Sequence, residues 1–212
     1  MYITSAITLW KKNIGESDRE YCFFTKKFGK IILIAKGIRK PNAKLQGQIE
    51  LPCLTNIDFN SGNQKRLTGA LIKNSFPKIR ENIRALEVTQ KILKLVDEYI
   101  LFAETDLKLW NMIKESLEFL EKSKNKNTES LLIEFSFTAR LIKSLGFEPE
   151  LKEDTENELI KNKQTLRSLK ILFNMDLNKI NKDGLAEPIL NQKEHISKFL
   201  KSQLKYIKNI FS

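Results

Sequence analysis

Residues Ile49-Glu50-Leu51-Pro52-Cys53-Leu54-Thr55-Asn56-Ile57-Asp58-Phe59 carry apolar side chains mostly at the odd positions. A period of two sends alternate side chains to opposite faces, so the stretch reads as a strand buried on one face. Pro52 has no N–H to give to a ladder and marks an edge or a bulge. Three β-rich stretches precede it, at about 2–10, 19–28 and 30–36. The last two are separated by Phe28-Gly29-Lys30, which suits a hairpin turn. After the turn-forming run Asn60-Ser61-Gly62-Asn63, residues 65–73 supply a fifth strand. Five short strands in roughly 75 residues with no helical period point to a small barrel or sandwich, and the OB-fold is the commonest five-stranded barrel of this size.

The pattern changes at Ser75-Phe76-Pro77, where proline fits a first helical position. From there Ile79, Ile83, Leu86, Leu93, Val96 and Ile100 recur on one helical face. Trp110, Ile113, Leu117 and Leu120 mark a second helix, and the run 122–127 contains no apolar residue. Thr128 offers an N-cap for a third helix with Leu131, Phe135, Ile142 and Leu145 inward, closed by Gly146 at the C′ position. Residues 148–158 are acidic and loop-like. Helical patterns return at about 158–174 and, after Pro188, at about 189–210, with Ile196, Phe199, Leu200, Leu204, Ile207 and Phe211 inward. Strands followed by helices give an α+β chain, an OB-fold barrel domain over 1–76 and an all-α domain over 77–212.

The 212 residues hold 41% hydrophobic and 30% charged side chains, which excludes a disordered chain or a disulfide scaffold. The longest clean apolar run, Ile31–Ala35, has 5 residues, against the ~20 of a membrane helix. The N-terminus has its positive charge after its apolar stretch, unlike a signal peptide. Cys22 and Cys53 stand far apart with no CxxC, so neither a cysteine zinc site nor an oxidising compartment is indicated. The expectation is a cytoplasmic protein.

Charge is lopsided. The chain carries +11, and residues 1–80 hold 15 Lys or Arg against 5 Asp or Glu, while residues 81–212 hold 22 against 21. An excess confined to one half favours a polyanionic partner gripped by that half.

A catalytic constellation is missing. His195 is the only histidine, and no GxxxxGK[ST], GxGxxG, GxSxG or HExxH occurs. Cys22 and Cys53 fall in strand patterns and read as core; Glu148 and Glu150 lie in a loop. The expectation is a non-enzyme without cofactors. The stretch 36–44 is more informative: Lys36, Arg39, Lys40 and Lys44 stand around a glycine and a proline with no acid among them. A mobile loop of that composition can follow a phosphate backbone. Lys11 and Lys12, placed after the first strand, and Lys65 and Arg66, opening the fifth, are further candidates. Tyr21, Phe23, Phe24, Phe28 and Phe59 are rings of the kind that stack on bases, with Tyr21 and Phe23 on one strand face and Cys22 and Phe24 on the other; core packing is the competing use.

Gly15-Glu16-Ser17-Asp18-Arg19, then Phe24-Thr25, then Phe28-Gly29-Lys30, then Ala35-Lys36-Gly37-Ile38-Arg39-Lys40-Pro41 and Leu45-Gln46-Gly47 together resemble the N-terminal pattern of RecO, the bacterial recombination mediator family. Leu145-Gly146-Phe147-Glu148-Pro149 and the basic-apolar C-terminal helix extend the resemblance through most of the chain. It implies an OB-fold followed by a helical domain, binding of single- and double-stranded DNA, annealing of complementary strands and a nucleoid-associated location. It also implies a partnership with RecR, and help in loading RecA onto strands covered by single-strand binding protein, whose acidic tail some members grip.

Lys36, Arg39 and Lys40 match the family's basic loop and are the expected phosphate contacts. Lys44, Lys11, Lys12, Lys65 and Arg66 rest on charge placement alone, and Arg140 and Lys143 are offered for the acidic tail. Many members carry a four-cysteine zinc module after the segment matching Gly146-Phe147; residues 148–190 here have no cysteine or histidine, so zinc is expected to be absent. The alternatives are a helical protein-interaction adaptor, or an RNA-binding OB protein with incidental DNA affinity.

Overall fold

The computed structural model describes residues 1–62, 64–124, 126–152, 162–174 and 186–211. Five strands, β1 (Tyr2–Ile14), β2 (Asp18–Thr25), β3 (Gly29–Ala35), β4 (Leu54–Ser61) and β5 (Lys65–Asn74), close into a barrel in the order β1-β2-β3-β5-β4. Every pairing is antiparallel except β3 with β5. This is an OB-fold barrel. Helices follow it, so the chain is α+β.

The strand parity read from the sequence holds. Tyr21 and Phe23 join Ala6, Ile31, Leu33, Ile57, Phe59 and Leu67 inside the barrel. Cys22 and Phe24 face outward, yet both are fully buried, because Phe24 stacks on Trp110 at 6.4 Å and the Cys22 thiol lies 3.8 Å from Asp97. The rings considered for base stacking are therefore core: Tyr21, Phe23 and Phe24 are fully enclosed, Phe59 is 3% exposed and Phe28 is half-buried.

Two strand boundaries differ most from the sequence reading. β1 runs on to Ile14, because a bulge between Thr8 and Trp10 resets its pairing with β2 and lets the hairpin continue. Lys11 and Lys12 accordingly lie within β1, not after it. β4 begins only at Leu54, although alternation starts at Ile49. Before it, the Arg80 guanidinium occupies the carbonyls of Glu50 and Pro52, both at 3.0 Å, which a strand would need for its ladder.

Two compact units form, one from residues 1–81 with 89–111, the other from 82–88 with 112–212. In the barrel unit, α1 (Pro77–Arg80) has proline in its first turn as expected but lasts only four residues. Asn82 then starts α2 (Ile83–Tyr99), its side-chain oxygen accepting from the Ala85 N–H at 2.9 Å. The single face expected from Ile79 to Ile100 is thus broken. Ile83 is 77% exposed, Ile100 lies past the helix end, and the buried face is made by Ala85, Val88, Ile92, Leu93 and Val96.

α3 (Leu107–Lys122) is capped by Asp106 and buries all four residues expected of it. α4 (Lys126–Ser144) begins before Thr128, so that residue lies inside the helix and does not cap it. It is buried on nearly all sides, with Leu132, Ile133, Phe135, Phe137, Ala139, Leu141 and Ile142 enclosed, because α5 (Lys163–Asn174), α6 (Ala186–Asn191) and α7 (Lys193–Phe211) all pack on it. The helix expected at 189–210 is two helices. Gln192 separates them, its N–H bonding Ile189 O and its carbonyl accepting from the Ile196 N–H. The far end of the acidic loop, the expected helix start near 158, Asn63, Asn125 and the Phe211 side chain lie outside the described residues. Among the described residues no helix is long and apolar enough to cross a membrane.

Candidate nucleic-acid interface

Residues 36–44 are a chain of hydrogen-bonded turns, not a free loop. Gly37, at φ +64, turns the chain so that its N–H reaches Asp18 Oδ1 at 2.7 Å. The Arg39 N–H bonds Ser17 O at 2.9 Å and the Ala43 N–H bonds Lys40 O at 3.0 Å. Ile38, 2% exposed, plugs into the barrel core. The turns are thereby pinned to the β1–β2 turn, and Lys36, Arg39, Lys40 and Lys44 are left exposed on them.

Pairing across the sheet brings other cations alongside. Lys12 of β1 lies opposite Glu20 of β2, Glu20 opposite Ile34 of β3, and Ile34 beside Arg66 of β5. This rung crosses four strands, about 14 Å at the usual strand spacing. Lys65 precedes Arg66, and Lys36 follows Ile34 by two residues. Strand pairing and the pinned turns therefore bring Lys12, Lys36, Arg39, Lys40, Lys65 and Arg66 to one region of the barrel unit.

The cations differ in what holds them. The Lys36 ammonium sits 2.7 Å from Asp18 Oδ2. That hydrogen bond, then the one from Gly37, holds the Asp18 carboxyl below its usual range. Lys11 pairs with Glu50, and Arg19 reaches the same carboxylate at 3.6 Å. Lys11 thus lies opposite Tyr21, on the other face of β1 from Lys12, and its charge is locally neutralised. Arg39 hydrogen-bonds the Gly15 carbonyl at 3.2 Å. Among the described residues no carboxylate forms an ion pair with Lys12, Arg39, Lys40, Lys44, Lys65 or Arg66.

In the helical unit, Arg140 is half-buried on α4, and its Nη1 is enclosed without a hydrogen-bond partner among the described residues. Lys143 is exposed but occupied, bonding Glu148 at 2.9 Å and Asn174 at 3.1 Å.

Sequence reasoning missed two features. Tyr2, 42% exposed, stacks on Phe59 at 5.3 Å and meets the Phe28 ring edge-on at 5.5 Å; its parity with Ala6 in β1 was the available signal. Arg80 was missed because a lone arginine after a proline has no motif, and only the fold shows which carbonyls it holds.

The description "Recombination protein O N terminal" belongs to a family model that matches residues 1–76, the whole of the barrel. Over that stretch the chain is similar to the RecO family. Proteins named DNA repair protein RecO are similar along it. The one from Acetivibrio thermocellus is 29% identical over 147 residues, 69% of this chain and 57% of that protein. The one from Dehalococcoides mccartyi strain BAV1 is 28% identical over 151 residues, 71% of this chain and 58% of its own length. The one from Desulforamulus reducens is 22% identical over 97% of this chain and 89% of its own length. The match thus spans well under two thirds of two of these RecO proteins and most of the third.

A four-cysteine zinc module does not fit this chain. Its two cysteines are both buried in the barrel unit. Cys53 lies between the Thr8 and Thr55 hydroxyls, at 3.7 and 3.2 Å. Burial, with Asp97 adding to it, pushes the Cys22 thiol up to about 12, so it is no ready thiolate ligand.

Proposed function

We propose that this chain is a DNA repair and recombination mediator that binds single- and double-stranded DNA and anneals complementary strands. The observation that carries the reading is the group of exposed cations around the rung Lys12-Glu20-Ile34-Arg66 and the pinned turns 36–44. The names of its relatives, all DNA repair protein RecO, support the same reading. Together with RecR, the chain would assist RecA loading on strands coated by single-strand binding protein, the acidic tail of that protein meeting the helical unit near Arg140 and Lys143. The place of action is the nucleoid in the cytoplasm.

The physics needs no bond chemistry and no cofactor. Two complementary strands repel through their phosphates. A surface holding most of the chain's excess positive charge lowers that repulsion and concentrates both strands near it. Lysine and arginine on short turns can contact successive phosphates without reading sequence.

The test is fluorescence-monitored annealing of complementary oligonucleotides by the full chain and by Lys36→Glu/Arg39→Glu/Lys40→Glu. Strand binding and annealing fall by about tenfold or more near 0.1 M salt. Because Lys36→Glu faces Asp18, the double variant Arg39→Glu/Lys40→Glu accompanies it with that ion pair intact. Unchanged annealing by a folded double variant removes these turns from the mechanism.

A further inference from the structure

The near-neutral charge of the helical half conceals a segregation. α5 and α7 together hold eight Lys or Arg and one carboxylate, Glu194, leaving fourteen cations and twenty acids for the rest of residues 81–212. The two helices pack on each other.

On α7 the pattern is regular. Lys198, Lys201, Lys205 and Lys208, all exposed, stand at steps of 3, 4 and 3. At 3.6 residues per turn they fall in a sector about 80° wide and about 15 Å long. The opposite side carries Ile196, Phe199, Leu200 and Ile207, all buried. Among the described residues no carboxylate pairs with any of the four lysines.

A merely solvated helix face is built differently in this same chain. α2 pairs Lys94 with Glu98 at 3.7 Å and α3 pairs Lys114 with Glu118 at 3.5 Å, each at i, i+4. On α7 Glu194 stands four residues before Lys198 without forming an ion pair. The other neighbours, Lys198 and Lys201, Lys201 and Lys205, and Lys205 and Lys208, are like charges, which weaken a helix. The helix dipole favours cations only in the last turn, so it accounts for Lys208 and not for Lys198 or Lys201. The arrangement costs the free protein stability that a bound polyanion would restore. Tyr206, 60% exposed between Lys205 and Lys208 in sequence, adds a ring at the edge of the stripe. Evenly repeated point charges beside an aromatic ring suit a single nucleic-acid strand, whose charge repeats evenly and whose bases stack.

We infer that the lysine stripe of α7 is a second strand-binding surface, so that each of the two compact units holds one single strand during annealing. This rests on the reading above that the chain handles nucleic acid. Arg167 and Lys170, exposed on α5, extend the cationic character of the neighbouring helix.

The experiment uses the full chain, the quadruple variant Lys198→Glu/Lys201→Glu/Lys205→Glu/Lys208→Glu, and the double variant Arg39→Glu/Lys40→Glu. Titration with a short single-stranded oligonucleotide gives two bound strands for the wild type and one for the quadruple variant. Annealing by the quadruple variant slows by about tenfold or more, and the matching Lys→Arg quadruple anneals as the wild type does. A folded quadruple variant that still binds two strands and anneals normally overturns the inference and leaves the proposed function standing. A wild type that binds no oligonucleotide overturns both. Loss of binding to an acidic peptide with annealing intact also overturns it, in favour of a protein partner.

Discussion

Gly29 shows how strictly one residue is held. Its φ of +61 suits glycine, and a Cβ there would lie 2.1 Å from the Glu104 carbonyl oxygen. The neighbouring Lys30 fixes the same approach: its carbonyl accepts from the Ala103 N–H at 3.0 Å, its ammonium donates to the Asp97 carbonyl at 2.6 Å, and it lies 4.5 Å from the Phe102 ring centre. Gly29→Ala should lower stability by about 3 kcal/mol or more, read as the shift of a urea midpoint; a loss below about 1 kcal/mol would mean the 101–104 segment does not dock there. The sequence offered Phe28-Gly29-Lys30 as a hairpin turn, which was right about the glycine. It could not show that Lys30 is buried, because its partners stand more than sixty residues away. Cys22 carries a second residue-scale prediction. Its thiol rises from an ordinary value near 9 to about 12. A raised folded value gives stability that is complete below the ordinary value and fades as pH climbs toward the folded one. Unfolding midpoints should therefore fall above about pH 9, less steeply in Cys22→Ala; identical slopes in the two proteins would contradict the burial.

Elements were legible where local rules decide them. The Gly146 stop is such a case: at φ +85 it lets its own N–H bond Lys143 O at 3.0 Å and the Phe147 N–H bond Ile142 O at 3.1 Å, the paired closure of a Schellman motif. Nothing lies within 4 Å of a Cβ built there, so Gly146→Ala should cost only about 1 kcal/mol, from backbone strain. Unchanged stability would show that α4 does not end this way. Other elements were hidden because distant groups decide them. The start of β4 waits on Arg80, the length of β1 on a bulge, and the break between α1 and α2 on Asn82 capping a helix whose first residue, Ile83, is exposed. In each case the periodicity was real but a side chain from elsewhere, or a cap, cut it short.

For the whole molecule, charge is the property that connects sequence to role. The imbalance of residues 1–80 was countable from composition, whereas its arrangement was not, since only strand pairing sets Lys12 and Arg66 on one rung and turns Lys11 away toward Glu50. The most direct measurement is the salt dependence of binding to a single-stranded DNA oligonucleotide, for the wild type and for Lys12→Glu/Arg66→Glu. The account predicts a linear fall of log affinity with log salt, of slope about −2.8 or steeper for at least four phosphates, flattened by about 1.4 in the rung variant. A nearly flat wild-type line, or the same slope in both proteins, would contradict it.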